Sequence, residues 1–188
     1  MAVWVVRQDA PKFGVWDKIA LDNGVAVIDF GLDTDISKFA DRNELASYLR
    51  RNAHALYGYR SGPLGRVRNA ARQVWAFYKY IAPGDIAIYH IWADAKGDEK
   101  LVVVGEFLDN DAYQSSFREY DEGWRPEQPD PILFQARRVN WLATDIPMSA
   151  FDPDLKLDAP GTVYKPSYAD ADVHVRAVLQ KHRDAGLP

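Results

Sequence analysis

Arg60, Arg66, Arg68 and Arg72, with the amides Asn69 and Gln73 on the same stretch, concentrate more ligand-binding chemistry than any other segment of this chain. From Leu45 to Gly84 there is no Asp or Glu, and with Arg50, Arg51 and Lys79 the stretch carries +7 in a chain whose net charge is −4, leaving −11 elsewhere. Arg66 and Arg68 fall just after Pro63, a residue suited to a first helical turn, so their guanidiniums would meet a phosphate beside unpaired backbone N–H groups. Asn69 and Gln73 each offer a donor and an acceptor that can read a base edge. The competing reading is a solvated basic helix face.

Rings are plentiful: six Trp and ten Tyr among 13% aromatic residues. Trp16, Phe30, Tyr89, Trp92 and Trp124 could stack on a flat base, each stack contributing about 1–3 kcal/mol. Trp75 lies on an apolar helical stripe and is expected in the core. His90 and Trp92 close the strand that follows the basic helix. The expected base pocket is therefore Trp16, Phe30, Asp35, Asn69, Gln73, His90 and Trp92, with Arg60, Arg66, Arg68 and Arg72 holding phosphate. Asp35 doubles as a helix cap, and that role is the simpler account of it.

Catalytic chemistry finds little support. The chain has no Cys, which removes disulfides, thiolate nucleophiles and cysteine metal sites. His54, His90, His174 and His182 do not fall at metal-ligand spacing, and no phosphate-loop, dinucleotide, zincin or nucleophile-elbow motif is present. Asp33, Asp35, Asp94, Asp98, Glu99, Asp109 and Asp111 sit in polar loop segments. The expectation is no catalytic set, no metal and no cofactor. Without a leader or a long apolar run, a cytoplasmic protein with no membrane contact is expected.

Several elements must hold these groups. Residues 2–7 and 25–30 read as strands, the second announced by Asn23-Gly24. Asp41 and Glu44 have capping-box spacing and open a helix with Leu45, Tyr48, Leu49 and Leu56 on one face. The basic helix follows Pro63 and ends at Pro83-Gly84, with Leu64, Val67, Ala71, Val74, Trp75, Tyr78 and Ile81 inward and Arg66, Asn69, Gln73, Phe77 and Tyr80 on a second stripe. Residues 85–92 and 101–107 read as a hairpin, 132–142 as the last strand, 144–150 as a short helical cap, and 171–184 as a final helix with Val175, Val178 and Leu179 inward. Few strands with helices inserted rather than alternating give an α+β class, a small curved sheet or barrel with helices outside.

The segment GRVRNAARQVWAFYKYIAPGDIAIYH resembles the central signature of EVE domains. The order WVVR, GVAVIDFG, DISKF, QVWAF, IAPGD, VVVGEF, RRVNWL and TDIP is similar to the N-terminal domain of Mrr-like and McrB-like modification-dependent restriction endonucleases. The resemblance covers residues 2–151 and leaves 152–188 as a linker and a helix that packs on this domain or leads to another module. Both groups belong to the PUA-like superfamily, with the YTH readers. The resemblance implies a β-barrel of five to six strands with flanking helices, and a pocket that takes one modified, methylated base flipped out of DNA, as part of a restriction system. A nuclease or ATPase module would be the partner. Two departures stand out: Phe30 occupies a family tryptophan position, and Pro63-Leu64 replaces the leading Trp of EVE domains. A methylated-RNA reader and a small-molecule sensor or enzyme using the same pocket are the alternatives.

Overall fold

The computed structural model describes residues 1–7, 20–28, 30, 32, 34–52, 62–91, 100–110, 113–115, 134–159 and 161–186. Strands β1 (Val3–Val6), β2 (Val25–Ile28), β3 (Ile86–Ile91), β4 (Leu101–Phe107), β5 (Tyr113–Ser115), β6 (Phe134–Pro147) and β7 (Val163–Tyr164) form one sheet in the order β2-β6-β4-β3-β1-β7, with β5 also on β6. Helices α1 (Arg42–Asn52), α2 (Leu64–Lys79) and α3 (Ala171–Asp184) pack around it. The fold is α+β: a mixed sheet, parallel among the described strands only between β1 and β3, that curls into a half-barrel until β1 and β2 come within 8 Å.

All four residues of β1 and of β2 are buried, as expected for strands covered on both faces. Alternation splits β1. Trp4 and Val6 join the cluster under α1 and α2, whereas Val3 and Val5 join the cluster under α3. The curl has a local cause in the long strand β6. Its pairing with β4 slips twice, so that Leu142 is an extra residue and Thr144 and Asp145 together oppose Val103, and Asp145 takes φ 56°. Such bulges bend a strand and increase its twist. The helical cap expected at 144–150 is therefore mostly strand, with only Met148–Ala150 helical, and the last strand runs five residues past Leu142 to Pro147. Where β4 and β6 cross most closely, Gly105 has no room for a side chain: a Cβ there would lie 2.5 Å from Val139 Cγ1 and 2.6 Å from the Asn140 carbonyl oxygen.

The caps follow the sequence. Asp35 accepts from Ser37 N at 2.7 Å and starts the turn Ile36–Lys38. Asp41 accepts from Asn43 N and Glu44 N, while Glu44 reaches back to Ala40 N at 2.7 Å. This reciprocal pairing satisfies donors that would otherwise be orphaned at the start of α1. Leu45 and Leu49 are the buried face.

Helix α2 departs from its expected pattern. Leu64 is 58% exposed, and Gln73 and Phe77, placed by spacing on the second stripe, are buried. The helix is covered from two sides, by α1 and by β7, so one stripe cannot describe it. Arg137 of β6 is 0% exposed and closes the other end of α2. It donates to the carbonyls of Phe77 at 2.9 Å, Tyr78 at 3.2 Å, Ile81 at 2.9 Å, and Asp109. A cation here meets the negative pole of the helix, three acceptors left over from it and the following turn, and a fourth, the Asp109 carbonyl, from the segment after β4.

Candidate functional site

Two anchors fix how α2 lies on the sheet. At its C-terminal end Asp85 accepts from Ala82 N, from Ala2 N at the start of β1, and from Trp4 Nε1 at 3.0 Å. In its middle the side-chain Oε1 of Gln73 accepts from Thr162 N and Val163 N, and Val163 pairs with Val6 at the end of β1. Hence α2 runs antiparallel to β1, and its half before Gln73 projects past the strand end. At 1.5 Å per residue, Arg66 stands about 10 Å beyond Gln73.

That projecting half faces α1 across a cleft of about 470 Å³. Arg68 and Arg72, one helical turn apart, line it from α2, and Arg42 lines it from the first turn of α1. Asn43 and Asn69 add amides, and the small side chains of Ala46 and Ala71 form the floor. None of the described lining residues is acidic or aromatic. Arg42, Asn43, Arg68, Asn69 and Arg72 are exposed. Arg72 Nη2 donates to Asn69 Oδ1 at 2.9 Å, which occupies that acceptor. The cleft is thus rich in donors and poor in acceptors, an environment for a ligand made of acceptor oxygens. Arg66 is exposed on the same half-helix without lining the cleft, and α2 starts at Pro63 without a side-chain cap.

The remaining expected site residues lie apart from this cleft. Phe30 is 8% exposed and packed in the core beneath α1 and α2. Gln73 serves as the peg for β7. Asp35 is a cap. His90 shares the other sheet face with Ile86 and Ile88, against the segment that follows Leu155. Its imidazole is lowered to about 4, chiefly by burial and next by the Arg7 charge, with a hydrogen bond to the Leu157 carbonyl opposing. Nearby, Tyr164 donates to the Lys156 and Leu157 carbonyls and is pushed up to about 12, mainly by burial. Asn69 and His90, expected around one cavity, occupy opposite faces of the sheet. Trp16, Arg60, Trp92 and Trp124 lie outside the described residues.

Sequence reasoning missed Arg42 and Asn43 as partners of Arg68. They sit just before the acid-free stretch, behind Asp41, and only the packing of α1 on α2 brings them across. Among the described residues no group of three or more His, Asp or Glu is placed to hold a metal ion, and no helix is long and apolar enough to cross a membrane. No family model and no curated protein matches the chain. Among solved structures it is similar to a hypothetical protein from Leishmania major, with 10% identity, 97% of each chain covered and a TM-score of 0.43.

Proposed function

We propose that this chain is a non-catalytic, PUA-like reader of a modified base in DNA, the recognition module of a modification-dependent restriction system beside a nuclease or ATPase. The observation that carries the nucleic-acid part is the α1–α2 cleft, where Arg42, Arg68 and Arg72 converge with no acid among the described lining residues. Guanidiniums grip phosphate oxygens through paired donors, and such contacts position a strand without reading its sequence. Asn69 serves the backbone in this reading, because its acceptor is committed to Arg72. In this reading the base goes to rings of residues 8–19 and 92–99, segments outside the described residues. Those segments follow the adjacent, parallel ends of β1 and β3 in sequence and carry Trp16 and Trp92. Unstacking a base costs a few kcal/mol, which ring stacking must offset.

The test is binding of DNA and RNA oligonucleotides, each with one modified base, measured by fluorescence anisotropy across a salt series. A stack of about 1–3 kcal/mol predicts a preference of about 5- to 150-fold for the cognate modification. Arg68→Ala and Arg72→Ala should weaken all sequences alike and each lower the salt slope by about one. Slopes unchanged in both variants and in Arg42→Ala would return the basic stretch to a solvated face.

A further inference from the structure

We infer that the α1–α2 cleft selects a terminal phosphate, a phosphomonoester at a nucleic-acid chain end, over the diesters within the chain. The inference rests on the proposed nucleic-acid binding and adds which phosphate the cleft takes.

Three features carry it. The first is size. About 470 Å³ lies toward the small end of ligand pockets and is room for roughly one nucleotide, enough for a single phosphate to sit among all three arginines. The second is charge. Three guanidiniums face that one group, and a diester brings a single negative charge with two free oxygens. A monoester brings about 1.5 to 2 charges at pH 7 and three acceptor oxygens. The third is polarity of the lining. With Asn69 Oδ1 occupied by Arg72, the described lining is rich in donors, and a third terminal oxygen gives the arginines an extra acceptor. The floor of Ala46 and Ala71 lets the group approach the helices closely.

The pH dependence separates this from general electrostatics. A guanidinium does not titrate in the working pH range, and no His, Asp or Glu is among the described lining residues. The carboxylates of α1's first turn, Asp41 and Glu44, are engaged with backbone N–H groups of Asn43, Glu44 and Ala40. Among the groups described at the cleft, the one that titrates in this range is therefore the ligand's own, with a second pKa of about 6.

The experiment compares one short single strand with a 5′-phosphate, a 3′-phosphate or only hydroxyl ends. A phosphoserine peptide, a 5′-mononucleotide and inorganic phosphate serve as competitors. A phosphorylated end should bind about tenfold tighter than the hydroxyl-ended strand at pH 7.5, the equivalent of one added charge-assisted bond. The preference should fade below pH 6 and vanish in Arg68→Ala and Arg72→Ala. Ala46→Met keeps all three arginines and fills the floor with a good helix former, so it should also lose the preference. Equal binding of all three strands, with a reduced salt slope in the arginine variants, overturns the inference and leaves the proposed function standing. Retention of the preference in Ala46→Met overturns it as well. Tighter binding of the phosphopeptide, or displacement by inorganic phosphate as effective as by the oligonucleotide, reassigns the cleft to another ligand. Failure of every strand to bind removes the proposed function and the inference together.

Discussion

Replacing Arg137 with Met should be among the most damaging single changes in this fold. Met roughly keeps the volume of the side chain but deletes every donor. The carbonyls of Phe77, Tyr78, Ile81 and Asp109 then lose their partner in the interior. A buried acceptor left unpaired costs about 1–3 kcal/mol, and loss of a partly buried cation at a helix C-terminus adds up to about 2. These contributions are not additive, since the carbonyls share one guanidinium and water can enter once it is gone. Removal of one partner from a buried charged network gives about 3–5 kcal/mol as the working figure. For a chain of this size, that lowers Tm by roughly 6–20 °C. Urea denaturation followed by tryptophan fluorescence gives the direct measure, with the midpoint falling and the slope unchanged if only stability moves. Arg137→Lys keeps the charge, but a compact ammonium cannot span four carbonyls, and it should recover less than half of the loss. A Met variant within about 1 kcal/mol of the parent would show that Arg137 does not hold the end of α2.

Gly105→Ala forces a methyl into backbone and ring atoms at under 3 Å and should cost about 1–3 kcal/mol, read as a shift in urea midpoint; an unshifted midpoint would mean that β4 and β6 do not cross this closely. Gln73→Leu removes the acceptor for Thr162 N and Val163 N, so hydrogen exchange at those two amides should accelerate well beyond exchange in β3, and uniform protection would show that α2 does not pin β7. His90 is lowered to about 4 from 6.5, so the unfolded chain takes up a proton first as pH falls. The neutral imidazole therefore favours folding fully above pH 6.5, and about 3 kcal/mol is lost as pH falls from 6.5 to about 4. Wild type should lose that much relative to His90→Gln over the same window, and parallel pH profiles would contradict a buried neutral imidazole.

What could be read from the chain was whatever depends on neighbours in sequence. Asp35, Asp41 and Glu44 cap where their spacing puts them, β3 and β4 pair antiparallel along their apolar, β-prone runs, and α3 runs from Ala171 to Asp184 as its period requires. The unbroken basic stretch pointed to the half-helix that lines the cleft. The rest depends on partners far away. Nothing local to Arg137 and Arg138 distinguishes a fully buried cation from an exposed one, because the carbonyls that hold Arg137 come from α2, its following turn and the segment after β4. Gln73 looks like a polar helix residue until β7, only two residues long, lies against it. The bulges at Leu142 and Thr144–Asp145 break the two-residue period by which a strand is recognised, so β6 was cut short. His90 and Asn69 are divided by strand alternation, which spacing along α2 and β3 could not reveal.

The position of β1 sets an order of events during synthesis. Its two neighbours, β3 and β7, are encoded roughly 80 and 160 residues downstream. At about 5–20 residues per second the ribosome completes β7 some 8–30 s after β1 has been made. Until then Trp4 and Val6 have no finished slot, while α1 and α2 can already form from local contacts. The mean sequence separation of contacts is correspondingly high, and folding is expected on the slow side for a domain of this size. The waiting VWVV segment is apolar and β-prone, the kind of stretch that pairs with the wrong strand. Yield of soluble protein should therefore respond to translation speed and temperature more than the stability of the finished fold does.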